Sequence, residues 1–207
     1  MEGKNIQKMK LLIVLTALFT FKTYSFETDQ NHSFQTPEST VEAFEEVTIN
    51  LLKSSDSLTV DERYYHTLRR IEHIIDFKTM ARLILGDQLN EEGEDLKNQF
   101  IHELMKLSAR AMALNYKNYN NQKYTTTKIK KNHSKAVVYT DFLASDRETV
   151  PFKFMLKRND KGNWQIINIV AGGVSELSLK RIEYKDFLKN KRLQDLINVL
   201  KRKNEFK

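Results

Sequence analysis

Asn163–Ser175 reads NWQIINIVAGGVS, and the reading of this stretch decides the fold. If it is a strand, Trp164, Ile166, Asn168 and Val170 share one face, and Ile167, Ile169 and Ala171 share the other. Both faces are then largely apolar, which describes an inner strand with cover on both sides or a pocket on one. Gly172-Gly173 ends the alternation, and a helical pattern follows.

Upstream of that strand the side-chain period is also two. Lys123–Lys131 is a Thr-rich polar strand, Ala136–Ala144 a second and Thr149–Arg158 a third. In the third, Val150, Phe152, Phe154 and Leu156 share an apolar face against Pro151, Lys153, Met155 and Lys157. The connections Asn132-His133-Ser134, Ser145-Asp146-Arg147 and Asn159-Asp160-Lys161-Gly162 are short, so the segment predicts a four-stranded antiparallel meander.

Before Tyr119 the period is helical. Thr36-Pro37 offers an N-cap followed by Pro at the first helical position, and Val41, Phe44, Thr48 and Leu51 follow at helical spacing. A second helix runs from about Asp61 through Tyr64, Leu68, Ile71 and Ile75. Asp76 caps a short third one that Gly86 stops. The fourth spans about Glu91 to Tyr119, with an acidic first turn and an apolar face of Leu96, Phe100, Leu104, Leu107, Ala111 and Leu114 widened by Ile101, Met105 and Met112. After the sheet, Leu177, Tyr184 and Leu188 mark one helix, and Leu193, Leu196, Ile197 and Leu200 another. The order helices, sheet, helices defines an α+β fold in one domain, a curved antiparallel sheet packed with several helices.

At the amino terminus, Lys4, Lys8 and Lys10 precede an apolar run, Leu11–Phe21, too short to span a bilayer, and Thr23-Tyr24-Ser25 supplies small residues for cleavage. Residues 1–25 are expected to be a signal peptide; the alternative is an uncleaved anchor helix, against which Lys22 argues. Residues 26–36 are polar and expected to be a disordered lead, leaving residues 37–207 as the folded domain. There is no cysteine, which removes a lipid-anchored amino terminus, disulfides, thiolate metal sites and cysteine catalysis, so an exported chain must rest on its hydrophobic core.

The net charge of +7 is unevenly spread. Residues 26–103 hold 17 acidic and 7 basic residues, Leu104–Thr140 holds eight basic and no acidic ones, and Lys180–Lys207 ten basic against four acidic. Such runs describe either a solvated surface or a polarised molecule that orients on acidic lipid head groups or an acidic partner.

Catalytic motifs are missing. No Gly-rich phosphate loop, Gly-x-Ser-x-Gly elbow or His-Glu-x-x-His occurs. His66 and His73, two turns apart on one helix, lack the carboxylate pattern a metal site needs, so no metal is expected. Asp76 and Asp141 read as cap, turn or ion-pair residues before they read as lone pocket acids.

Asp76–Gly86, DFKTMARLILG, resembles the DF-x-x-MAR-x-x-LG signature of the periplasmic phospholipid-shuttle proteins of the Mla pathway, the MlaC or toluene-tolerance auxiliary family. Trp164-Gln165, Gly173-Val174-Ser175, Arg181 and Leu193-Gln194-Asp195-Leu196-Ile197 resemble that family's C-terminal block in the same order. Two positions depart: the family usually has Asp where this chain has Asn168, and Glu where it has Gly172. Of the Asn-Tyr-Arg that usually follows the Gly-Val-Ser block, only Arg181 survives.

The resemblance implies a soluble periplasmic carrier that is no enzyme. It would need no cofactor beyond its phospholipid cargo, and would shuttle lipid between an inner-membrane Mla ABC transporter complex and an outer-membrane lipoprotein–porin complex, maintaining outer-membrane lipid asymmetry. A monomer is expected, with no nucleic-acid partner. A hopanoid or other lipid carrier of the same family is the nearer alternative, and a small sheet-and-helix-cone isomerase or dehydratase the more distant one. The expected lipid pocket lies between the apolar sheet face and its covering helices. Its candidates are Met80, Leu83, Leu104, Leu107, Ala111, Val138, Phe142, Phe152, Phe154, Ile167, Ile169 and Val174, each either pocket lining or plain core. Arg82 and Arg181 are candidates for head-group or partner contact.

Overall fold

Two capping boxes set the first two helices. Ser39 N–H donates to Thr36 Oγ1 at 3.1 Å ahead of α1 (Pro37–Lys53), and Glu62 N–H donates to Thr59 Oγ1 at 3.2 Å ahead of α2 (Val60–Ile74). The computed structural model describes residues 34–205. The expected signal peptide and residues 26–33 of the expected lead lie outside that range. The last residues of the lead are part of the fold: Trp164 N–H donates to the Phe34 carbonyl at 2.7 Å, and the Phe34 side chain packs on the core.

Asp76 caps α3 (Phe77–Leu85) by accepting from Thr79 N–H at 2.8 Å, and Gly86 ends it at φ +63°. The long helix expected from Glu91 to Tyr119 is shorter at both ends. A one-turn helix, α4 (Asp87–Asn90), precedes it, and α5 runs Glu94–Asn115. Its early stop has a cause that residue spacing does not reveal. The buried guanidinium of Arg63, on α2, donates to the carbonyls of Ala113 and Tyr116, the latter at 2.8 Å, placing a cation on the carboxyl end of α5.

The sheet is a meander of β1 (Lys123–Lys131), β2 (Lys135–Leu143), β3 (Thr149–Arg158), β4 (Trp164–Ala171) and β5 (Val174–Ser175), each antiparallel to the next. The fifth strand corrects the expected four. Gly172 and Gly173 have φ +57° and +84°, and Ala171 pairs with Val174, so the two glycines form a two-residue hairpin instead of leading straight into a helix. Because β5 is so short, β4 is nearly an edge strand. Its free edge is covered by Phe34, by the Thr40 hydroxyl donating to the Trp164 carbonyl at 3.1 Å, and by Asp76 N–H donating to the Ile166 carbonyl at 2.9 Å.

A bulge in β4 overturns its simple alternation. Met155 faces Asn168 and Leu156 faces Ile166, which leaves Ile167 without a partner. Beyond the bulge the faces exchange: Ile169 and Ala171 stand opposite Phe154 and Phe152, on the same face as Ile166 and Trp164. With Ala136 and Val138 of β2 they form the face that the helices cover. α1 packs on it, α5 packs on α2 and α7, and α6 (Glu176–Leu188) packs on α3 and β4. α7 (Leu193–Asn204) is fastened to α5 where Asn204 Nδ2 donates to the buried Glu103 carboxylate at 2.7 Å.

Candidate functional site

The helix-covered face is not filled throughout. A cavity of about 450 Å³ opens between α3, α5 and α6 on one side and β3 and β4 on the other. Its floor is Phe152, Ile166, Ile169 and Ala171; Phe44, Ile75, Phe77 and Met80 form one wall; Ala111, Met112 and Tyr116 from α5 another; and Val174, Leu177 and Leu179 the mouth. The space exists because its neighbours are small. α5 turns Ser108 and Ala111 toward it, and β4 contributes Ala171.

Polar atoms on the lining are few and mostly engaged. Ser108 Oγ donates to the Leu104 carbonyl at 3.0 Å, Asn168 Oδ1 accepts from Ser175 Oγ at 3.0 Å, and Glu176 pairs with Lys180 at 3.1 Å. Asn168, where the resemblance leads one to expect Asp, therefore takes part in a neutral hydrogen bond at the start of α6. Tyr116 lines the cavity, and burial raises its phenol above the ordinary range; the same cause acts more strongly on Tyr124, whose hydroxyl accepts from Thr48 Oγ1 at 3.2 Å. Behind that wall, burial pushes the Glu45 carboxyl up to about 7, with Glu42 adding to the rise and the Thr140 hydroxyl opposing it.

Five of the sequence candidates line this cavity: Met80, Ala111, Phe152, Ile169 and Val174. Leu104, Val138 and Phe154 are fully buried and do not line this cavity. Phe142 packs against Tyr124 and Phe152, and Leu107 packs against the core. Leu83 is on the surface, and Ile167 is the bulge residue. Arg82 and Arg181 are both exposed and neither lines the cavity.

Several lining residues escaped the sequence reading. Phe44 and Ile75 read in sequence as helix-stripe positions and Phe77 as part of the DFKTMARLILG motif, and nothing in their spacing separates lining from core. Ile166 was missed because the alternation crosses a bulge. Leu177 and Leu179 follow the Gly-Gly pair, whose hairpin reading would have turned them toward the strand end.

The lining is largely apolar. His66 and His73 do not line the cavity, and Asp76 is engaged as the cap of α3. Among the described residues no group of three or more His, Asp or Glu could hold a metal ion, and no helix is long and apolar enough to cross a membrane.

A family model described as MlaC protein matches residues 42–202. Among solved structures, a phospholipid-binding protein from Ralstonia solanacearum in complex with a phospholipid superposes with a TM-score of 0.66 at 17% identity, covering 80% of this chain and 95% of that one. At that identity the likeness establishes a shared fold. No curated protein matches the chain.

Proposed function

The chain belongs to the MlaC family, and we propose that it is a periplasmic carrier that takes up phospholipid by its acyl chains and moves it between inner-membrane and outer-membrane transport complexes. The observation that carries this reading is the cavity itself, about 450 Å³ of largely apolar lining between sheet and helices, within the ~300–1,000 Å³ typical of small-molecule sites. A relative of the same fold is described as phospholipid-binding and in complex with a phospholipid, which supports the same cargo here.

The physics gives such a carrier its purpose. Each methylene exposed to water costs ~0.8 kcal/mol, so a two-chain lipid does not cross an aqueous space unaided at a useful rate. A cavity floored by Phe152, Ile166, Ile169 and Ala171 replaces bilayer hydrocarbon by protein hydrocarbon. That exchange is near-neutral for the tails, so direction is left to the membrane complexes at either end. No bond is made or broken in this cycle, and the head group stays at the mouth, near Val174, Glu176 and Lys180.

Export follows from the same reading: residues 1–25 are removed as a signal peptide, and the chain from Phe34 onward acts as one lipid-binding domain. Two experiments test the proposal. Lipid extracted from the purified protein and analysed by mass spectrometry should be phospholipid; a hopanoid would move the cargo to another lipid class, and the absence of lipid would overturn the reading. Amino-terminal sequencing of protein from its native envelope should begin near residue 26, and a start at Met1 would contradict export by cleavage.

A further inference from the structure

The mouth of the cavity carries apolar side chains that point to water. Val174 and Leu179 line it and are each 56% exposed, and Ile182, one turn beyond Leu179 on α6, is 70% exposed. On α3, which packs against α6, Met80 lines the cavity, and Leu83, one turn further along the same face, is 39% exposed. α6 therefore has apolar residues on two faces. Leu177, Tyr184 and Leu188 face the protein, while Leu179 and Ile182 are exposed.

The charges around this lip are unbalanced in one direction. Every acid of α6 is already in an ion pair: Glu176 with Lys180, Glu183 with Lys203, and Asp186 with Lys189. α3 carries Lys78 and Arg82, but these line a separate depression with Glu94, a carboxylate bonded to Lys97 and lying within the field of both. On α6, Arg181 and Lys185 form no ion pair among the described residues. Two unpaired cations thus accompany the protruding apolar rim at the entrance of the cavity.

From this juxtaposition we propose that the α3–α6 lip docks directly on an anionic bilayer, Leu83, Leu179 and Ile182 entering the interfacial region while Arg181 and Lys185 lie among phosphate head groups. Long basic side chains with apolar stems suit that boundary, and juxtamembrane cations add attraction that salt screens. Isolated apolar side chains projecting from a convex helix suit a fluid surface better than a shaped protein groove. Docking there sets the cavity mouth against the membrane, so a lipid passes between bilayer and carrier without crossing water. The inference rests on the carrier reading and adds a surface to it.

The test is flotation of the purified chain with vesicles of phosphatidylcholine alone or with one-third phosphatidylglycerol, at low and high salt, with lipid content measured in parallel. Binding should require the anionic lipid and fade with salt. Ile182→Asp together with Leu83→Asp, and separately Arg181→Glu with Lys185→Glu, should lower binding by about tenfold or more. Both double variants should keep their co-purified lipid, since none of these four side chains lines the cavity. Equal binding to both vesicle types, no binding to either, or unchanged binding in both variants would overturn the lip as a bilayer site. No binding to either vesicle, with lipid still present in the protein, would leave the carrier reading standing and point to a protein partner instead. Absence of co-purified lipid would count against the carrier reading alone.

Discussion

The two ends of one sheet face make the useful contrast. Toward β2 and β3 the face is closed: Phe44 meets Phe154 edge-on at 5.5 Å between ring centroids, Phe152 stacks on Phe154 at 5.8 Å, and Val138 and Leu156 are buried beside them. Toward the end of β4 the same face is open, and there Ile169 and Ala171 share the cavity lining with the small side chains Ser108 and Ala111 of α5. Both ends are apolar and both belong to the same sheet. What separates core from pocket is the size of the side chain opposite, a property of pairs of residues and not of either one. Phe152 stands on the boundary, buried in the aromatic cluster and exposed to the cavity.

The largest effect should come from the closed end. Phe154→Ala removes a fully buried ring from a packed cluster and should cost about 3–5 kcal/mol in chemical denaturation. A cost below about 1 kcal/mol would mean that the closed end is not packed as described. At the open end, emptying the cavity should act through binding. If lipid is held at a hundred to a thousand times its dissociation constant, stripping it should lower stability by about 3–4 kcal/mol, and adding it back should restore the melting temperature. An unchanged melting temperature on delipidation would erase the distinction between the two ends.

Much of this contrast could be read in advance, and its failures have specific causes. The strand boundaries, the α+β order and the caps at Thr36 and Asp76 are local properties of backbone and turn chemistry, which residue patterns carry directly. The exchange of faces in β4 depends on one unpaired residue, Ile167, whose identity does not differ from its neighbours. The end of α5 depends on Arg63, fifty residues away from the Ala113 carbonyl it binds. Leu83 sits at helical spacing within an apolar pattern and still faces water, because among the described residues no element covers that side of α3.

A smaller effect tests the wall behind the cavity. Glu45 has its carboxyl raised from 4.5 to about 7 by burial, so the fold favours its neutral form. Its contribution to stability is full below pH 4.5 and is lost as pH rises through about 7. The protein should therefore unfold more readily at pH 8 than at pH 5 on account of this group, and Glu45→Gln should flatten that part of the profile. An identical profile in the variant would place the titration elsewhere. The smallest effect belongs to the surface: Leu83→Ala should change stability by no more than about 0.5 kcal/mol, and a larger loss would show that Leu83 is packed.

The most direct measurement is the lipid content of the purified protein beside that of Ala111→Phe, each with its unfolding curve. The substitution places a ring in the gap that the small side chain leaves open, on a wall that the cavity shares with Met112 and Tyr116. The account predicts phospholipid in the wild type, at least a tenfold loss in Ala111→Phe, and a cooperative unfolding transition in both. Equal phospholipid in the two proteins, with the variant folded, would contradict the claim that this cavity is where the acyl chains lie.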